Sequence, residues 1–236
     1  MNTDSAQSYP ARLRGDLDEP LSRWLWLVKP ILAIPHYVVL LFLWIAFVVA
    51  TIAAGFAILF TGRYPRNLFD FNVGVVRWSW RVQFYTLAAL GTDRYPPFTL
   101  ASTDYPADFH VDYPERLSRG LVLVKWWLLA IPHYVIVLAL TGGGLNLGDS
   151  DSDTTIPLLG VLVLIAAIVL LFTAKYPRGL FDFVMGINRW FYRVLAYAAL
   201  MRDDYPPFRF DQGPREPGAT QTVPTTLTDG DPTGSR

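Results

Sequence analysis

The chain has no cysteine, which removes disulfides, thiolate metal sites and a cysteine nucleophile. It is also short of charge. Charged residues make up 17% of the chain, against about 25% in a soluble domain, and the shortfall lies in the interior while the ends are polar. Twenty basic and twenty acidic residues cancel, so the strongly basic face that nucleic acid requires is missing. The first twenty residues hold no apolar core of the kind a signal peptide needs, and no cleaved leader is expected. There is no phosphate-cradling glycine loop, nucleophile elbow, HExxH or carboxylate dyad. Gly142, Gly143 and Gly144 read as a flexible turn.

What is present is repetition. YPRNLFDFNVGVVRWSWR, from Tyr64 to Arg81, returns as YPRGLFDFVMGINRWFYR, from Tyr176 to Arg193. Such self-similarity marks a tandem repeat. Each copy leads into a second signature, DRYPPF at Asp93 or DDYPPF at Asp203. Upstream, Tyr9-Pro10-Ala11 matches Tyr105-Pro106-Ala107, Leu21-Ser22-Arg23 matches Leu117-Ser118-Arg119, and AIPHYV at Ala33 matches AIPHYV at Ala130. Residues 141–155, TGGGLNLGDSDSDTT, have no counterpart in the first copy. The expected units are a first membrane repeat over 1–100, a second over 101–210, and a disordered Pro-, Gly- and Thr-rich tail over 211–236.

From Leu21 to Phe60 the chain is almost uniformly apolar. As one helix it would reach roughly 60 Å, about twice a bilayer's hydrocarbon core. The second copy is split by glycines and aspartates that hydrocarbon does not tolerate, leaving apolar segments near 120–140 and 156–173. The first copy is expected to fold likewise, as a hairpin turning near residues 42–45. A single tilted span from Pro35 to Thr61 is the alternative. In the signature, Asp70, Gly74, Arg77 and Arg81 share one helical face, as do Asp182, Gly186, Arg189 and Arg193, with Phe69, Val73, Val76 and Trp80 opposite. Two arginines per helix are too costly for a free span. The expectation is an amphipathic interfacial helix with tryptophans at headgroup level. Arg63, Arg66, Lys175 and Arg178 flank the YPR turns, and the inserted loop is acidic, so the positive-inside rule puts the YPR turns and both termini in the cytoplasm.

The motif YPRxLFDFxxGxxRW, with RV and DxYPPF after it and LxxxxxxLAIPHYV before it, resembles an uncharacterised bacterial membrane family. That family is catalogued as domain of unknown function four-three-eight-nine and occurs in single or tandem copies. The resemblance covers roughly residues 9–100 and 105–210. It implies a membrane protein and brings no activity, cofactor or catalytic residue with it. The glycine and aspartate insertion is this chain's departure from the pattern.

The expected fold class is therefore all-α: a polytopic helical membrane protein of two tandem homologous repeats, each a transmembrane hairpin plus an amphipathic interfacial helix. Its expected place is the inner (plasma) membrane, multi-pass. His36 and His133 occupy equivalent places after Ile-Pro. They are read as structural partners beside proline, or as haem ligands, a metal site or a proton relay. Arg77 with Arg81, and Arg189 with Arg193, each want an anion. That is a carboxylate such as Asp70, Asp182 or one from the linkers, or a lipid phosphate, with Arg63, Arg66, Lys175 and Arg178 adding to a basic headgroup pocket. Asp70 and Asp182 are otherwise helix-start acids. The Tyr-Pro pairs at Tyr64, Tyr95, Tyr105, Tyr113, Tyr176 and Tyr205 read as turns and interface anchors.

The function expected is a non-enzymatic scaffold or accessory protein contacting anionic headgroups, without cofactor or metal. Its expected partners are membrane lipids and either a second copy or another membrane protein. A small carrier or channel with a polar site between the repeats is the alternative, and a redox protein using the paired histidines is a further one.

Overall fold

The computed structural model describes residues 9–86, 88–141, 145–146, 155–156, 158–173, 175–208 and 211. The first half contains β1 (Ala11–Gly15), α1 (Leu25–Leu32), α2 (Ile34–Thr61) and α3 (Arg66–Tyr85). The second half contains β2 (Ala107–Val111), α4 (Arg119–Val124), a π-helical turn over Lys125–Leu129 and α5 (Ile131–Thr141). A short hairpin of β3 (Leu145–Asn146) and β4 (Thr155–Ile156) follows, then α6 (Leu158–Thr173) and α7 (Arg178–Ala198).

Local chemistry sets the boundaries. Pro35 sits in the first turn of α2, where its missing N–H costs nothing, and Gly62 ends the helix at φ 71°, a left-handed cap that favours glycine. Pro65 and Pro177 stand just before α3 and α7 in extended conformation. A proline there lacks only a donor that the first turn would have left unused. The YPR motif is thus a helix start.

Among the described residues, two helices are long and apolar enough to cross a membrane: Ile34–Thr61 and the run Arg119–Leu138. The expected turn at residues 42–45 is not there. α2 continues through it as one helix of 28 residues, because Phe42, Leu43 and Trp44 offer no residue that breaks a helix. The single helix weighed as the alternative is the one that forms. In the second half Thr141 lies eight residues after His133, as Trp44 does after His36, and Pro157 lies nineteen before Tyr176, as Ile45 does before Tyr64. Residues 142–156 are therefore the whole excess. α5 and α6, of 11 and 16 residues, replace α2, and both pack on α7 as α2 packs on α3. Pairing of Leu145 with Ile156 and of Asn146 with Thr155 ties the feet of the excursion together. Gly142–Gly144, Asp149, Asp151 and Asp153 lie outside the described residues.

The chain is mostly helical, but not all-α. β1 and β2 pair antiparallel, with Ala11 opposite Val111, Leu13 opposite Phe109 and Gly15 opposite Ala107. Since Ala11 corresponds to Ala107 in the repeat, the pairing is centred on the equivalent residues Leu13 and Phe109. A local twofold relates the halves there. Each strand packs across the dyad, β1 on α7 and β2 on α3. Leu13, Phe109, Trp80 and Tyr192 are buried there, with the Trp80 and Tyr192 rings 5.3 Å apart.

α3 is the central layer. Phe69, Arg77, Trp80 and Arg81 meet the ribbon or the residues that follow it. Asn72, Trp78 and Ser79 meet Thr51, His36 and Trp44 of α2. At 100° per residue these two sets lie on opposite sides of the helix. Trp80 thus shares the arginine face, contrary to the expected division. From Asn72 to Tyr85 every residue of α3 is buried except the half-buried Arg77 and Gln83. Trp78, Trp80 and Trp190 are all interior. The tryptophans are packing residues here, because the ribbon covers the face that sequence spacing left open to the interface.

Candidate functional site

The four arginines paired within the signature, Arg77, Arg81, Arg189 and Arg193, are engaged inside the chain. Arg77 donates Nε–H to the Phe109 carbonyl at 2.9 Å and pairs with Asp108 at 2.9 Å. At the equivalent position Arg189 donates to the Leu13 carbonyl at 3.1 Å. Arg81 is fully buried, donates to the Ala101 carbonyl at 2.8 Å and lies 3.4 Å from Asp108. Burial works to lower its pKa and Asp108 to hold it up; a guanidinium stays protonated through such shifts. Arg193 pairs with Asp211 at 2.6 Å, so the first residue of the expected tail is part of the folded unit. The carboxylates come from β2 and from the first residue of the expected tail. Asp70 instead pairs with Arg66 at 3.2 Å on the surface, and Asp182 is half-buried at the matching place.

Much of the remaining signature is held within the chain as well. A Cβ on Gly74 would stand 2.8 Å from the Leu100 side chain, so only glycine lets the segment after YPPF lie on α3. Lys29 is buried, donates to the Thr92 carbonyl at 2.7 Å and pairs with Asp93 at 2.8 Å. Burial lowers its pKa and Asp93 opposes that. Lys125 repeats the arrangement with Arg202 and Asp203, at 2.9 and 2.8 Å. The aspartate of DxYPPF is thus the counter-ion of a buried lysine that the sequence reading passed over. The signal was available: Lys29 and Lys125 are equivalent bases inside apolar runs.

Each histidine is caged in its own half. Trp78 donates its indole N–H to His36 Nδ1 at 3.1 Å, and Phe98 stacks on the ring at 3.9 Å. Trp190 and Phe208 do the same to His133 at 3.2 and 4.4 Å. Accepting at Nδ1 leaves Nε2 to carry the ring hydrogen, and Nε2 has no partner among the described residues in either half. Tyr95 also lies against His36 and Tyr205 against His133, so each imidazole is surrounded by aromatic side chains of its own half. Among the described residues no group of three or more His, Cys, Asp or Glu is arranged to hold a metal.

Two features have no internal explanation. One is the exposed apolar surface of α2, which includes Phe42, Val49, Phe56 and Phe60, continued on the second half by Trp126, Val135, Leu138 and Phe172. The other lies where α2 meets α4. Leu117 N–H bonds the Gly62 carbonyl at 2.9 Å, and the two helices enclose with the end of α7 a groove of about 610 Å³. Phe47, Gly55, Leu59, Val122, Trp126 and Leu200 line it. Leu200 adopts φ 64°, as its equivalent Leu90 adopts 52°, which puts its side chain against Gly55. One turn beyond the groove, Arg63, Arg116 and Arg119 form a cup with Thr61, Gly62 and Leu117. All three arginines are exposed, and none has an ion-pair partner among the described residues.

The matching place in the second half differs. Lys175 and Arg178 stand with Glu19, Pro20 and Leu21, and Arg178 lies 3.5 Å from Glu19. Pro20 occupies the position of Arg116. Of the eight headgroup candidates named from sequence, Arg63 and Lys175 have no ion-pair partner among the described residues, and Arg63 is the one that stands beside the apolar groove. Arg116 and Arg119 were missed because they belong to the second repeat, far in sequence from the YPR turn they face.

No curated protein matches this chain, and no solved structure matches it. The family model described as Domain of unknown function (DUF4389) matches residues 23–99 and 157–209, more than half of the chain and in two segments that resume just after the inserted loop. These segments contain Lys29 and Asp93, His36 and Trp78, and the paired arginines of both copies, and on that match the chain belongs to the DUF4389 family.

Proposed function

We propose that the protein is a non-enzymatic scaffold of the cell membrane, seated by its apolar face in hydrocarbon and holding an anionic phospholipid at the α2–α4 junction. The observation that carries this reading is the joining of an apolar groove to a cup of three unpaired arginines. An acyl chain suits the groove, and a guanidinium binds a phosphate through two parallel hydrogen bonds. Each basic residue near an anionic membrane surface contributes about 1 kcal/mol, so three together favour an anionic headgroup on the order of a hundredfold. The internal pairing of Arg77, Arg81, Arg189 and Arg193 supports a structural role for them and leaves binding to the cup.

Native mass spectrometry of detergent-purified protein tests the reading. Anionic phospholipid retained by wild type should fall on the order of tenfold or more in the R63Q/R116Q/R119Q variant, while R66Q retains it. Equal retention in the triple variant would remove the headgroup site. Recovery of wild type in the aqueous fraction without detergent would remove the membrane seat.

A further inference from the structure

Helices of this length invite a multi-pass arrangement, and the order of layers opposes it. The geometry points to a protein that lies in the plane of the membrane, its apolar face filling one leaflet and the β1–β2 ribbon facing water on the same side. This rests on the lipid-facing reading above and adds where the molecule sits.

The ribbon is the decisive element. Its outer face carries the Arg12–Asp112 pair at 2.5 Å, the Arg14–Asp16 pair at 3.7 Å and the exposed His110. Charged groups facing hydrocarbon cost several kcal/mol each. This face must be wet. The ribbon lies along α3, on the side opposite α2, and an open groove between them carries the charged side chains of Arg66, Asp70, Arg77 and Asp112 and the His110 ring among apolar neighbours such as Phe69 and Val73. Water therefore reaches α3 from Arg66 to Arg77, about 16 Å of helix.

α2 runs antiparallel beneath that same stretch, as the contacts of Trp78 with His36 and of Asn72 with Thr51 require. If α2 crossed the bilayer, the middle of α3 and the charged ribbon on it would stand at mid-membrane. Laid flat, the molecule reads from water to lipid as ribbon, then α3 and α7, then α2 with α5 and α6. Packed helices lie 8–10 Å apart and a helix with its side chains has a radius of about 5–6 Å. The apolar face therefore reaches roughly 15 Å below the α3 axis, half of a hydrocarbon core about 30 Å thick. The charged ends agree. Exposed Arg66 and Asp70 near one end of α2, and Arg94 and Asp104 near the other, then share one aqueous side.

The absence of cysteine allows a direct test. Single variants Arg94→Cys, His110→Cys and Asn67→Cys report the two ends of α2 and the ribbon between them. In spheroplasts, a membrane-impermeant maleimide should label all three or none, and all three after lysis. Labelling of Arg94→Cys and Asn67→Cys from opposite sides would overturn the inference and leave the lipid-facing reading standing. A second arm uses nitroxides at Phe42→Cys, Val49→Cys and Phe56→Cys, which share one exposed face of α2. Equal immersion depths are expected. A centre deeper than both ends, or a steady gradient, would overturn the in-plane seat, and aqueous exposure of all three would overturn both readings.

Discussion

A two-stranded ribbon has two open edges, and an edge carbonyl left without a donor is both costly and a template for aggregation. Arg77 and Arg189 answer one such carbonyl each, at Phe109 and Leu13, on either side of the dyad. A hydrogen bond to a charged group is worth about 1.5–3 kcal/mol. R77Q and R189Q should each lower the melting temperature in detergent by roughly 3–12 °C while bound anionic lipid is unchanged. Lipid lost at unchanged melting temperature would return these residues to the headgroup. Sequence spacing put Arg77 with Arg81, and Arg189 with Arg193, on one face and named linker carboxylates among their partners; Asp108 pairs with Arg77 and Arg81, whereas Arg193 takes Asp211, a residue assigned to the tail. It did not reach the carbonyls, because these acceptors exist only once strands from the two halves have paired. The alternation in Ala11–Gly15 and Ala107–Val111 was the available strand signal, in stretches of only five residues each.

At the scale of elements, the second half is the first with an excursion added. α5 and α6 together match α2 in length, and the β3–β4 pairing closes the loop at its base. Removing residues 142–156 and changing Pro157→Ile should therefore restore an unbroken helix, since the proline would otherwise sit in a helix interior at a cost of about 3 kcal/mol. Circular dichroism should show helix content held or raised, with a melting temperature no lower than wild type. A fall of several degrees would mean that the loop carries packing of its own. The same comparison explains why the first copy was misread from sequence. Glycines and aspartates that break the second apolar run suggested a turn by analogy in the first, whereas Phe42, Leu43 and Trp44 themselves favour continuity.

At the scale of the molecule, buried phenols set an upper pH limit. Burial raises the pKa of Tyr9, Tyr105, Tyr176 and Tyr192, and pushes Tyr64 up to about 12. An unfolded chain loses these protons near pH 10, so above it the folded state holds more protons than the unfolded one. Stability falls as pH rises, by about 1.4 kcal/mol per pH unit for each such tyrosine until its folded pKa is reached. The melting temperature should drop steeply above pH 10, with phenolate absorbance from these residues appearing only on unfolding. Early titration of all of them in an intact fold would show that the core admits hydroxide.

The exchange of strands across the dyad also fixes an order of assembly. Strand β2 follows its partner β1 about a hundred residues later, and Arg189, which answers Leu13, lies 176 residues away. Closure of such distant pairs carries a large loop entropy. During synthesis the helices of the first half must therefore wait with Leu13 unpaired and the Arg77 face uncovered, and a chain released before α7 would leave that edge open to the nearest copy of itself.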